Sequence, residues 1–332
     1  MKWLESATIF EGHALSVLRS LPPSNDVRCC VTSPPYWGLR KYPVGEVTFD
    51  DGWAGQLGWE PTPELYVEHL VQVMREVRRV LANDGTLWLI IGDCYATQSG
   101  GSDGEHRGLA RHREGGRTMA KDVGDLKRKD LVGIPWMVAF ALRADGWYLR
   151  SDIIWSKRNP MPESVKDRPT SSHEHVFLLS KQPDYYFDRK AIAEPATSKP
   201  QRRLTTGGYS PEGAKVRMVR AMRTDPGVYG SEGDGLRNRR DVWRMVSTPY
   251  PGAHFAVMPL ELARLCVLAG SASGDVVLDP FAGAGTTAVA AIQNGRTFLG
   301  VELCPEYRAL ALERIDKEAS QQPLFDTSGG VV

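Results

Sequence analysis

The stretch Asp275-Val276-Val277-Leu278-Asp279-Pro280-Phe281-Ala282-Gly283-Ala284-Gly285-Thr286-Thr287 reads as a buried strand, a glycine turn and a helix start. Glycines at such a turn let backbone approach a ligand, and the free N–H groups and dipole of the helix favour an anionic or polar group. No Lys follows the second glycine, which excludes a Walker phosphate loop, and the spacing departs from the G-x-G-x-x-G of dinucleotide sites. A nucleoside without a pyrophosphate fits instead. Thr297 to Glu302 is the next apolar strand, and Glu302 ends it 23 residues after Asp279, where a carboxylate can accept both ribose hydroxyls. A tight turn with no ligand is the competing reading of the glycines, and Glu302 speaks against it.

Working outward, the N-terminal half alternates strands and helices. Val27 to Thr32 is an apolar run stopped at Ser33-Pro34-Pro35, as suits a buried strand. Thr62-Pro63 reads as an N-cap with proline in the first turn, followed by Tyr66, Leu70, Val73, Met74, Val77, Val80 and Leu81 at helical spacing. Asn83-Asp84-Gly85 ends that helix, and Thr86 to Ile91 is the next strand. Strand, helix, strand at these lengths predicts a parallel α/β sheet. Residues 95–130 read as a mobile surface insertion, Pro135 to Asp145 as a helix, Trp147 to Trp155 and His175 to Ser180 as strands, and the chain from Gln321 as a frayed tail.

The 332 residues carry 41 Lys plus Arg against 40 Asp plus Glu, and no run of eighteen apolar residues, so a transmembrane helix is not expected. Five scattered cysteines and the absence of an apolar leader point to a reducing cytoplasm rather than a disulfide framework. Charge is uneven: Lys199 to Arg244 holds eleven basic and five acidic residues, a local +6 in a chain of net +1. His173-Glu174-His175 has metal-binding residue types but no further ligand at suitable spacing, so no metal is expected. Cys29 and Cys30 lie inside an apolar strand and read as buried small residues rather than nucleophiles.

Thr32-Ser33-Pro34-Pro35-Tyr36-Trp37 falls at the C-terminal end of its strand, the edge where open α/β sheets bind ligands. Two prolines can simply stop a strand. They also remove N–H groups, so the turn presents carbonyl acceptors without competing donors, while Ser33 adds a hydroxyl and Tyr36 a ring on which a base can stack. These parts suit methylation of an exocyclic amino group. Its nitrogen lone pair is delocalised into the heterocycle, and acceptors on the two N–H bonds favour a pyramidal nitrogen able to attack an electrophilic methyl.

Ser-Pro-Pro-Tyr together with Asp-Pro-Phe-Ala-Gly-Ala-Gly-Thr-Thr resembles the amino-group DNA methyltransferases that use S-adenosylmethionine, and the motif order resembles their β-type, permuted arrangement. The resemblance covers most of the chain. It implies a Rossmann-like α/β fold, a mixed, mostly parallel seven-stranded sheet with helices on both faces plus a smaller, irregular target-recognition region. It divides the chain into a first catalytic part (1–156), target recognition (157–250), a cofactor-binding part (251–320) and a flexible tail (321–332). It implies that Ser33, Pro34, Pro35 and Tyr36 hold a flipped base. Asp279 would accept from the cofactor's amino group, Pro280, Phe281, Gly283, Gly285, Thr286 and Thr287 would shape the pocket with Phe255 and Ala256, and Glu302 would hold the ribose. Trp37 and Arg40, with Arg202, Arg203, Lys215, Arg217, Arg220, Arg223, Arg237, Arg239 and Arg240, would face double-stranded DNA, although Trp37 could equally be core. Where the family often has Asp after the glycine of the entry segment, this chain has His13.

Serine before Pro-Pro-Tyr resembles the N4-cytosine enzymes, with N6-adenine as the alternative. A cognate restriction endonuclease is a possible partner, and the nucleoid the expected place of action. Protein glutamine methylation, whose motifs run in the opposite order, and a non-catalytic DNA-binding module are the competing classes.

Overall fold

The computed structural model describes residues 6–23, 26–39, 41–96, 126–196, 236–246 and 258–320. In chain order its elements are β1 (Ala7–Glu11), α1 (Ala14–Ser20), β2 (Val27–Thr32), β3 (Val47–Thr48), β4 (Ala54–Gly55), α2 (Pro63–Val80), β5 (Leu81–Ile91), α3 (Ile134–Ala144), β6 (Tyr148–Lys157), β7 (His173–Ser180), β8 (Glu194–Pro195), β9 (Leu236–Arg237), β10 (Val242–Met245), α4 (Leu260–Gly270), β11 (Val276–Asp279), α5 (Thr286–Gln293), β12 (Thr297–Glu302) and α6 (Pro305–Ser320).

The chain forms two compact units, Met1–Phe187 with Asp241–Val332, and Asp188–Arg240. In the smaller unit β8 and β9 pair antiparallel. The larger unit holds an eight-stranded sheet in the order β1-β12-β11-β2-β5-β7-β6-β10. All neighbours run parallel except β7, which is antiparallel to both β5 and β6. The mixed α/β architecture is the expected one, with one strand more than seven. The extra strand is β10, and both it and β7 come from the stretch 157–250 expected to serve target recognition. The smaller unit, Asp188–Arg240, also falls within that stretch.

Strands covered on both faces read as continuous apolar runs. Leu87, Leu89 and Ile91 of β5 join a core cluster with α1, α2 and α3. Trp88 turns the other way and lies against Gly270 at the end of α4. Thr62 caps α2, its Oγ1 accepting from Leu65 N at 3.2 Å, and Tyr66, Leu70, Val73, Met74, Val77 and Val80 are buried as their spacing predicts. One expectation fails here. The strand after α2 starts at Leu81, and Asn83-Asp84-Gly85 sits inside β5, where the register against β2 shifts.

The sheet order places the site. From β11 the chain crosses through α5 to β12 on one side, whereas from β2 it crosses through α2 to β5 on the other. The crevice between β2 and β11 is therefore the topological switch point, where open α/β sheets bind ligands. Asp279, 1% exposed, bolts the two strand ends together. Its Oδ1 accepts from Thr32 Oγ1 at 2.7 Å and from Phe281 N at 3.0 Å, and its Oδ2 from Thr287 Oγ1 at 2.8 Å.

Burial pushes the Asp279 pKa from 3.8 up to about 6, against the pull of those donors. A carboxyl whose folded-state value exceeds its unfolded one contributes stability that is complete below the unfolded value and is lost as pH rises through the folded value. Asp279→Asn removes this titration. Relative to the variant, wild type should be most stable below about pH 4 and lose on the order of 3 kcal/mol of that advantage by about pH 7. Urea denaturation across this range measures it, and a difference independent of pH would mean that the carboxyl titrates normally.

Candidate active site

Beyond β11 the chain turns back through two glycines in left-handed backbone, Gly283 at φ 52° and Gly285 at φ 75°, and Gly285 is the N-cap of α5. The two differ in surroundings. A Cβ on Gly285 would meet the Ala311 Cβ at 3.1 Å, whereas one on Gly283 would meet only the Phe281 carbonyl, at 3.9 Å. The front of the loop at Gly283 is thus open, and its back is packed on α6. Arg314 of α6 donates to Ala284 O at 3.1 Å and to Thr286 Oγ1 at 3.0 Å, which fixes the loop from behind.

Glu302 ends β12 beside this loop. Its Oε2 accepts from Gly283 N at 2.7 Å and its Oε1 from Cys304 N at 2.8 Å. Each oxygen keeps a further lone pair, the arrangement needed for two vicinal hydroxyls. Burial raises the Glu302 pKa. An open glycine cradle beside a half-buried carboxylate fits a nucleoside.

Three residues expected to line this pocket are buried in the structure. Asp279, Thr286 and Thr287 are 1%, 3% and 1% exposed, and the Asp279 oxygens already take three protein donors. They support the loop from within the sheet, because a carboxylate buried here needs internal partners. Phe255 and Ala256 lie outside the described residues.

Across the crevice, the proline turn is held at each residue. Pro34 is buried, and the Pro35 carbonyl accepts from Tyr66 Oη of α2 at 2.9 Å. Tyr36 Oη donates to Glu174 Oε2 at 2.6 Å, and Ser33 Oγ donates to Tyr36 Oη at 3.4 Å. The other Glu174 oxygen is ion-paired with Lys157. Gly92, just past β5, gives the Tyr36 ring its room: a Cβ there would sit 2.8 Å from Tyr36 Cε2. Burial, then the Glu174 charge, pushes the Tyr36 phenol well above its ordinary pKa. Asp93 accepts from Gly133 N and Ile134 N at 3.1 Å and so caps α3 at the same sheet edge.

Trp37 is a correction. It is 3% exposed and donates through Nε1 to Glu60 O at 2.9 Å, so it belongs to the core and does not face DNA. In the smaller unit Arg237 Nε donates to Glu194 at 3.0 Å and Arg239 Nε to Ile192 O at 2.8 Å, while Arg240 is exposed. Arg40, Arg202, Arg203, Lys215, Arg217, Arg220 and Arg223 lie outside the described residues, as do most of 95–130 and the tail from 321. His13 packs edge-on against Phe49, and burial lowers its pKa to about 4. The Cys29 thiol is pushed up to about 12 by burial, which leaves it unreactive.

Sequence reasoning gives Glu174, Lys157, Tyr66 and Gly92 no part in the site. Glu174 pairs across the sheet with Trp155, two residues before Lys157, so an antiparallel β6–β7 pairing is the signal that would have joined them. Gly285→Ala should cost about 1–3 kcal/mol, through strain at positive φ and the clash with Ala311. A urea midpoint unchanged from wild type would contradict this packing.

A model of the DNA methylase family (N6/N4) matches residues 27–313. The chain is 45% identical over 316 residues to the type II methyltransferase M.Cfr9I of Citrobacter freundii, covering 95% of this chain and 89% of the relative. It is also 45% identical to M.SmaI of Serratia marcescens, over 94% and 91% of the two chains. Among solved structures, TTHA0409 of Thermus thermophilus in complex with S-adenosyl-L-methionine superposes with a TM-score of 0.56 at 26% identity, over 94% and 93%. The cytosine-N4-specific PvuII DNA methyltransferase shares the fold, with a TM-score of 0.60 at 16% identity, over 96% and 93%. The two motifs that meet at the switch point lie within the matched segment, and the chain belongs to the N6/N4 family of DNA methylases.

Proposed function

We propose that the chain is an S-adenosylmethionine-dependent DNA methyltransferase acting on the exocyclic N4 of cytosine in duplex DNA. The observation that carries this reading is the Thr32–Asp279 hydrogen bond of 2.7 Å, which joins segments 247 residues apart so that the proline turn and the glycine loop border one crevice. Phe281, Gly283 and Glu302 would hold the cofactor, Glu302 through the ribose. When bound, S-adenosylmethionine supplies an electrophilic methyl group on a sulfonium sulfur.

The chain's own residues do the rest. The target amine is paired and stacked inside a duplex, so the base must leave it. Tyr36, anchored through its hydroxyl, offers a ring face for the extruded base. Ser33 Oγ and the Pro34 carbonyl accept the amino hydrogens. Bound in this way, the nitrogen is held pyramidal with its lone pair toward the methyl. Positioning and fixed acceptors supply the rate, with no covalent adduct to the protein. The unit Asp188–Arg240, which includes most of the basic stretch, would read the site through phosphates and base edges. The kinship with type II methyltransferases adds a cognate endonuclease to this reading, and a cytoplasmic, DNA-associated place of action. Ser33 in place of an acid favours cytosine. Adenine N6 presents the same amino donor beside a ring acceptor and is the alternative.

Duplex DNA incubated with the protein and methyl-labelled cofactor, then digested to nucleosides, should yield N4-methylcytosine by mass spectrometry. N6-methyladenine would move the assignment to the alternative, and unlabelled DNA would refute the reading. Glu302→Ala should weaken cofactor binding by about 1–3 kcal/mol in calorimetry, as for a lost charge-assisted bond. Unchanged affinity would remove Glu302 from the pocket.

A further inference from the structure

Glu174 is tied to the proline turn through the Tyr36 hydroxyl. Paired with the Lys157 ammonium, it is a carboxylate with lone pairs to offer and no proton to give. The only proton available for its 2.6 Å contact with Tyr36 is the phenolic one, so Tyr36 Oη must donate to Glu174. Burial and the Glu174 charge keep that proton on the phenol. The lone pairs of Tyr36 Oη are then the groups facing Ser33, and the Ser33 proton is drawn toward them across 3.4 Å.

We infer that Glu174, held by Lys157, acts through Tyr36 to fix the Ser33 hydroxyl as a hydrogen-bond acceptor toward the incoming amino group. The inference rests on the reading of Ser33 as a base-facing residue. Its chemical consequence is directional. A Ser33 hydroxyl free to rotate could donate to the amino nitrogen or the neighbouring ring nitrogen and compete for the lone pair that must attack. With its proton committed to Tyr36, the hydroxyl can only accept an N–H, which leaves that lone pair free. Glu174 touches neither base nor cofactor in this scheme and is a positioning residue. The order of commitment runs from Lys157 to Glu174, Tyr36 and Ser33, along three contacts in one compact unit.

Glu174→Gln keeps the shape but supplies an amide N–H that can point at Tyr36 Oη and reverse the order. Single-turnover methyl transfer from labelled S-adenosylmethionine to unmethylated genomic DNA reads the effect. Wild type should label the DNA, and Glu174→Gln should slow transfer about tenfold, the scale of one misdirected hydrogen bond. Cofactor and DNA dissociation constants and the melting temperature should stay near wild type. Tyr36→Phe, which removes only the hydroxyl, should slow transfer at least as much.

In a Ser33→Ala background Glu174→Gln should cost nothing further, because no hydroxyl remains to orient. The inference is overturned if Glu174→Gln transfers as fast as wild type. It is equally overturned if the variant loses the same factor in the Ser33→Ala background, since Glu174 would then act on the Tyr36 ring alone. A wild type that labels no DNA is a different result, refuting the function reading and the inference with it.

Discussion

A single buried carboxylate governs the geometry of this protein. Asp279 closes β11, and its oxygens take donors from the end of β2, from the glycine loop and from the first turn of α5. Parallel strands need only backbone pairing to align, but backbone pairing does not set how two loops leave the sheet. The side-chain ties do that. They cost desolvation of a carboxyl group, seen in its raised pKa, and a protein retains such a group where the orientation it fixes is worth more than the stability an apolar residue would give.

The same logic recurs on both sides of the crevice. Each loop is held from behind: the glycine loop by Arg314, the proline turn by Tyr66 and Glu174. The groups proposed to meet the substrate and cofactor, Ser33, the Pro34 carbonyl and Glu302, are acceptors. A reaction whose nucleophile is an amine of the substrate needs no activated side chain from the enzyme, and Cys29 and Cys30, the sulfurs nearest the proline turn in sequence, are buried thiols whose pKa values burial pushes up. Rigid acceptors that do not reorganise during reaction are what such a site can contribute.

Much of this is readable in the sequence. The strands Val27–Thr32, Val276–Asp279 and Thr297–Glu302 come out at the residues predicted, because short apolar runs closed by proline or glycine leave little room for error. Glu302 is found beside the glycine loop for the same reason. What local pattern does not supply is pairing between distant segments. Asp279 carries the right chemistry for a ligand contact, and only the packing of Thr32 and Thr287 against it shows where its lone pairs go. Trp37 follows a functional turn in sequence yet is turned inward by its bond to Glu60. Glu174 reads as part of a polar cluster until the register of β6 on β7 sets it near Lys157.

That dependence on pairing also means that the crevice does not rest on which motif comes first in the chain. The crevice is defined by β2 lying next to β11, a neighbour relation made by hydrogen bonds across the sheet. Covalent connections enter only through α2 and α5, which leave the switch point in opposite directions. Either half can therefore come first in the chain, provided the Thr32 and Asp279 side chains still meet. On this view the strongest constraint on sequence falls on the two residues that close the gap between halves, and less on the glycines and prolines that give each half its recognisable signature.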